Sequence, residues 1–183
     1  MAKQQNYQPK KEPQLDLSQY IFGKVMPQDI PTEEAMIGAL ITEKDALGKV
    51  IEIIQPETFY LDAHQHIYKA ILELHKNRFP VDILSVVDAL KKAGDLEKIG
   101  GAYYLTELTN RVGSSANIEY HARILAQKRM QRQIVGIASS ALQDAYNDMV
   151  DPFEHLASMM SDLAKVNPSI TGNVEHISTV AMT

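Results

Sequence analysis

The feature that most constrains this chain is a helix-forming run in its second half, roughly Ala116 to Asn147, interrupted only by Gly136. A helix of that length reaches well past the edge of a small globular body. Its apolar positions do not lie on one stripe. At about 100° per residue, Ile118, Ala122 and Leu125 share a face. Met130, Ile134, Ile137, Ala141 and Ala145 cluster on a face rotated by well over a quarter-turn from it. The first part of the helix is therefore expected to pack on a globular head, and the second part on something else.

The next helix supplies that second body. Asp151-Pro152-Phe153-Glu154 is a strong start signal. Asp151 stands at the N-cap, Pro152 at the first helical position, and Glu154 where it can reach back as in a capping box. Phe153, Leu156, Met160 and Leu163 then repeat at coiled-coil-like spacing. The connection after Asn147 is short, so the two helices are expected to be antiparallel neighbours. Such a hairpin cannot hide all its apolar surface, and Leu142, Met149, Val150 and Met159 are further candidates for exposure. Burying one such side chain stabilises by about 1.5–3 kcal/mol, so several left in water call for a covering chain. Ile134, Ile137, Leu142, Phe153, Leu156, Met160 and Leu163 are thus the candidate oligomer interface. The alternative is a hairpin folded back on its own head.

Upstream, the chain reads as a series of shorter helices. Pro27 and Pro31 bracket an entry turn, and Thr32 can cap a helix with Glu33 and Glu34 in its first turn and Ala35, Met36, Ala39 and Leu40 at helical spacing. A second helix covers Asp45 to Ile54 and stops before Pro56. A third covers Asp62 to Lys76, with Ile67, Ala70, Ile71 and Leu74 on one stripe, and Asn77-Arg78-Phe79-Pro80 breaks it. Asp82 caps the fourth, whose inner face is Leu84, Val87 and Leu90 and whose end is marked by Gly94. Gly100-Gly101 turns the chain into a helix over Ala102 to Thr109 that buries Tyr104, Leu105 and Leu108, and Gly113-Ser114-Ser115 is a break before the long helix.

The expected fold is all-α, a compact multi-helix head followed by an antiparallel helical hairpin. The expected organisation is a flexible N-terminal tail over 1–26, the head over 27–113, the hairpin over 114–166, and a linker over 167–183. The tail carries an apolar island, Leu15, Leu17, Tyr20, Ile21 and Phe22, that either touches its own domain or docks on a neighbouring subunit. In the linker, Val174, Ile177, Val180 and Ala181 begin a helical stripe cut off at Thr183, as in a truncated linker helix.

Composition narrows the function. The net charge of −5 argues against a domain whose main task is gripping phosphates. The absence of cysteine excludes disulfides and thiolate zinc sites and fits a reducing, cytoplasmic setting. No window of about 20 apolar residues is present to span a membrane. Gly23-Lys24 and Gly48-Lys49 are each followed by valine, so neither is a phosphate-binding P-loop. His64 and His66 are too close in register to share a helix face, no HExxH occurs, and the acidic pairs Glu33-Glu34 and Asp144/Asp148 read as helix-end and surface charges. No catalytic, cofactor-binding or metal residue is assigned. A basic face does form at Arg123, Lys128, Arg129 and Arg132, with Gln127 and Gln131 between. It is either a solvated helix face or a contact for an acidic partner or DNA, and Lys128, Arg129 and Arg132 are its candidate residues.

A set of short motifs, in order, resembles the N-terminal domain of DnaB-type replicative DNA helicases. They are Pro27-Gln28, the run Glu33 to Leu40, Phe59-Tyr60, His64, Ile67-Tyr68 and Leu74, then Pro80-Val81-Asp82, Leu90 and Gly94, Gly100-Gly101-x-x-Tyr104-Leu105, and the run Ala116 to Ile124. The resemblance extends from about Pro27 to Val166. It implies a head and hairpin that pair and join as a trimer of dimers, forming a collar on a hexameric ring that unwinds duplex DNA at the replication fork. It further implies docking of a DnaG-type primase, with a helicase loader as another partner. ATP and Mg²⁺ would bind, and DNA would mainly be held, in a RecA-like motor domain that this sequence lacks. The rival expectations are a stand-alone helical module that binds DNA or protein, and a free-standing enzyme.

Overall fold

A helix that is apolar around its whole circumference has to sit inside other helices. The run Met36-Ile37-Gly38-Ala39-Leu40-Ile41 makes the first helix, α1 (Ile30–Thr42), of that kind, and every one of these residues is buried. Five helices surround it: α2 (Ala46–Val50), α3 (Asp62–Lys76), α4 (Ile83–Ala93), α5 (Gly101–Asn110) and the first part of α6 (Ile118–Ala145). The last helix is α7 (Pro152–Val166). This computed structural model describes residues 20–21, 23–111 and 117–166. Most of the tail, the Gly113-Ser114-Ser115 break and the linker over 167–183 lie outside the described residues.

Local signals explain most helix ends. Asp29, not Thr32, caps α1: its carboxylate accepts the Thr32 amide at 3.2 Å. Pro31 is tolerated inside the first turn because the amide it lacks would have had no intrahelical acceptor there. Helix α2 is shorter than expected, and the chain turns through Ile53 and Ile54 back onto the Val50 carbonyl before a 3₁₀ turn over Pro56–Thr58. Helix α3 has the expected bounds and ends with Arg78 in the left-handed region, φ 58°. There the Arg78 amide donates to His75 O and the Phe79 amide to Leu74 O, closing the helix as a glycine would. Asp82 accepts the Ser85 amide at 2.8 Å, and Gly94 at φ 73° closes α4.

Two expected core assignments are corrected. In α4 the buried residues are Val86 and Leu90, Val87 is half-buried, and Leu84 is exposed. The helix is rotated from its expected face, and it packs mainly on α3 with further contact to α5 and α1. In α5, Leu105 and Leu108 are buried as expected, whereas Tyr104 is only half-buried, its hydroxyl engaged in a polar contact. At the start of the described chain, Tyr20–Ile21 and Lys24–Val25 form a short antiparallel strand pair, β1 and β2, turned at Gly23.

Helix α6 carries its expected head-facing side, whereas on the expected second face Met130, Ile137 and Ala141 are half-buried and Ile134 and Ala145 are exposed. Ile118, Ala122 and Leu125 are buried in the head, and no residue beyond Leu125 in this helix is buried. Its distal half packs with α7, after a turn in which the Asn147 side chain accepts the Met149 amide at 3.1 Å. Asp151 starts α7 by accepting the Phe153 and Glu154 amides at 2.8 and 3.1 Å.

Candidate functional site

Among the described residues, the distal hairpin carries most of the large apolar side chains left in water. Helix α7 packs substantially on α6 and on no other element, and none of its residues is buried. The side of α7 covered by α6 carries His155, Met159 and Val166, all half-buried, and His155 Nδ1 lies 3.8 Å from Asp144 on α6. The stripe of Phe153, Leu156, Met160 and Leu163 is therefore not the seam within the hairpin. It faces outward, with Phe153 82% and Met160 64% exposed. Ile134 and Leu142 on α6 are exposed as well, Ile137 is half-buried, and Tyr146 and Met149 stand uncovered near the turn. Of the further candidates for exposure, Val150 and Met159 are half-buried.

The basic face of α6 is occupied differently from a free docking surface. Arg132 Nη1 donates to Pro27 O at 3.0 Å, and Nη2 donates to Thr58 O at 2.8 Å and Glu57 O at 3.1 Å. Its guanidinium carbon lies 5.7 Å from the Tyr60 ring centroid, within cation–π range. Burial pulls the Arg132 guanidinium below its ordinary range, partly offset by the Glu33 carboxylate. One turn earlier, Arg129 Nη1 donates to Gln55 Oε1 at 3.0 Å. Lys128 is half-buried on the same helix.

A buried polar network adjoins the Arg132 contacts, at a glutamate expected to be a helix-end surface charge. Glu33 and His64 have no exposed surface. The Glu33 carboxylate accepts the Tyr60 amide at 2.6 Å and the Leu61 amide at 3.4 Å, and lies 2.7 Å from His64 Nδ1. His64 Nε2 lies 2.7 Å from the Tyr104 hydroxyl, and the two rings are stacked. A ring protonated on Nδ1 donates to Glu33 and accepts the tyrosine proton, which satisfies each member. Burial raises the Tyr104 hydroxyl above its ordinary pKa, helped by the Glu34 charge. Glu33 stands three, four and seven residues before Met36, Ile37 and Leu40, all buried, so helical spacing groups it with core positions. That spacing is the signal that could have placed it inside.

Neither Gly-Lys pair forms a phosphate-binding loop. Gly48 lies inside the five-residue helix α2, and Gly23 is at the turn between two short strands. No group of three or more His, Asp or Glu residues that could hold a metal ion occurs among the described residues. Nor is any helix among them long and apolar enough to cross a membrane.

Comparison with known proteins agrees with this architecture. Residues 25–127 match the family model for the DnaB-like helicase N-terminal domain. The replicative DNA helicase DnaB of Rhodothermus marinus is 39% identical over 145 residues, covering 79% of this chain and 15% of that protein. The replicative DNA helicase DnaC of Bacillus subtilis (strain 168) is 35% identical over 166 residues, covering 88% of this chain and 36% of that protein. The chain thus spans well under half the length of either relative. The crystal structure of the N-terminal domain of DnaB helicase from Mycobacterium tuberculosis superposes with a TM-score of 0.73 at 34% identity, covering 77% of this chain and 99% of that one. A DnaB-like replicative helicase, solved in a study of its interactions with primase, shares the fold with a TM-score of 0.64 at 22% identity, over 82% of this chain and 36% of that one. With its helical head, projecting hairpin and a match over more than half its length, the chain belongs to the DnaB-like helicase N-terminal domain family.

Proposed function

We propose that this chain is the oligomerisation and primase-docking part of a replicative helicase that unwinds duplex DNA at the replication fork. One observation carries the assembly half: α7 has no buried residue in a single copy, yet presents Phe153, Leu156, Met160 and Leu163 as a continuous apolar stripe. A fifteen-residue helix of this composition gains little from propensity alone and takes most of its stability from packing. A second copy of the hairpin would cover the stripe and make a dimer, and dimers joined through a further surface would build a ring. Primase docking is supported by the shared fold with a helicase studied with primase. In this reading, ATP hydrolysis and the main DNA contacts belong to a motor domain outside this sequence, and a helicase loader is a further partner.

The test is hydrodynamic. Sedimentation velocity and light scattering should show self-association at a concentration on the order of tens of micromolar. Leu156→Lys and Met160→Lys should shift the population toward monomer while the head still melts cooperatively. A parent chain that stays monomeric would overturn the assembly reading. Titration with the C-terminal domain of a DnaG-type primase tests docking separately, and an absence of binding removes that half alone. The rival use of Lys128, Arg129 and Arg132 as a DNA contact is weakened because Arg129 and Arg132 already spend donors on the head.

A further inference from the structure

A long helix that leaves a globular body needs something to fix its direction. Packing by Leu125 and earlier residues anchors α6 within the head, but α6 has no buried residue after that point. Two turns further on, Arg132 reaches back to the carbonyls of Pro27, Glu57 and Thr58. These acceptors belong to two separate segments, the entry before α1 and the 3₁₀ turn before α3. The Tyr60 ring, next along that second segment, lies within cation–π range of the same guanidinium. Tyr60 also donates its amide to buried Glu33, so the platform that receives Arg132 is itself tied to the core. Beyond Arg132, no polar contact joins the hairpin to the head among the described residues.

We propose that Arg132 is the positioning residue that sets the direction in which the hairpin projects from the head. A guanidinium suits this task because its planar fork holds several donors in fixed relative directions. A lysine ammonium offers a point charge on a flexible stem and cannot hold the same acceptors in one geometry. The role deepens the assembly reading and rests on it: a hairpin held in one direction meets its copy without first losing orientational freedom.

The chain has no cysteine, so two introduced ones give unique spin-label positions. Lys92→Cys on α4 and Glu154→Cys on α7 place labels on exposed sites of the head and the hairpin. Double electron–electron resonance on the full chain, diluted with unlabelled protein, then reads the head-to-hairpin distance. The parent should give one narrow distribution. Arg132→Ala and Arg132→Lys should both broaden it roughly twofold and weaken self-association roughly tenfold. If Arg132→Ala loses the cooperative melt of the head, Arg132→Lys and Tyr60→Leu carry the same reading. Unchanged distributions in the folded variants would overturn the proposal. Broadening without any change in association would overturn the link to assembly. A monomeric parent would defeat the assembly reading itself, while the distance distributions would still decide whether Arg132 directs the hairpin.

Discussion

Glu33 Oε2 lies 2.7 Å from His64 Nδ1, and both side chains are closed to solvent. The contact joins the first turn of α1 to the first turn of α3, and Tyr104 extends it to α5. It therefore fixes three helices of the head relative to one another.

Removing one side of a buried pair is costlier than the pair's own net worth, because the remaining partner is left unsatisfied. Glu33→Ala strands His64 and two amides, and should lower the unfolding free energy by about 3–5 kcal/mol. Glu33→Gln keeps a carbonyl acceptor and should cost less. Urea denaturation of both variants checks this, and a loss below about 0.5 kcal/mol for the alanine variant would mean that the network contributes little.

Tyr68 gives the fold a defined response to alkali. Its hydroxyl donates to Ile54 O at 3.2 Å within the core, and burial raises its pKa from 10.0 to about 12. A raised folded-state value means that the folded chain keeps this proton while the unfolded chain loses it. The contribution is complete below pH 10.0 and is lost as pH rises toward about 12. Stability measured across that window should fall for the parent and fall less steeply for Tyr68→Phe.

Arg78 occupies a left-handed conformation at φ 58° where helix ends usually carry glycine. Relief of the Cβ clash favours glycine by about 1–2 kcal/mol, offset by about 0.5–1 kcal/mol of extra chain entropy in the unfolded state. Arg78→Gly should therefore leave the thermal midpoint unchanged or raise it by a few degrees. A clear drop would show that the Arg78 side chain makes a stabilising contact of its own.

Asp151 holds the start of α7 with two amide hydrogen bonds. Asp151→Ala should destabilise this helix by about 1 kcal/mol. Because α7 lies outside the head, hydrogen exchange should accelerate at α7 amides and remain unchanged in α1 and α3. Equal acceleration in the head would mean that hairpin and head unfold as one unit.

Much of this architecture was readable because its signals act over a few residues. The bounds of α3, the Asp82 and Asp151 caps, the Gly94 stop and the head-facing side of α6 all follow from neighbours within about four positions. The helical character of the fold and the presence of an uncovered hairpin follow from the same local chemistry.

Tertiary structure decided what depends on partners far along the chain. His64 is 31 residues from Glu33, and Pro27 is 105 residues from Arg132. Read from sequence, Glu33 is a helix-end charge, and only the arrival of His64 and the Tyr60 amide makes its burial tolerable. Periodicity marked a stripe on α7 without saying which side would meet α6. That choice rests on the register between two helices, and it left Phe153, Leu156, Met160 and Leu163 facing water.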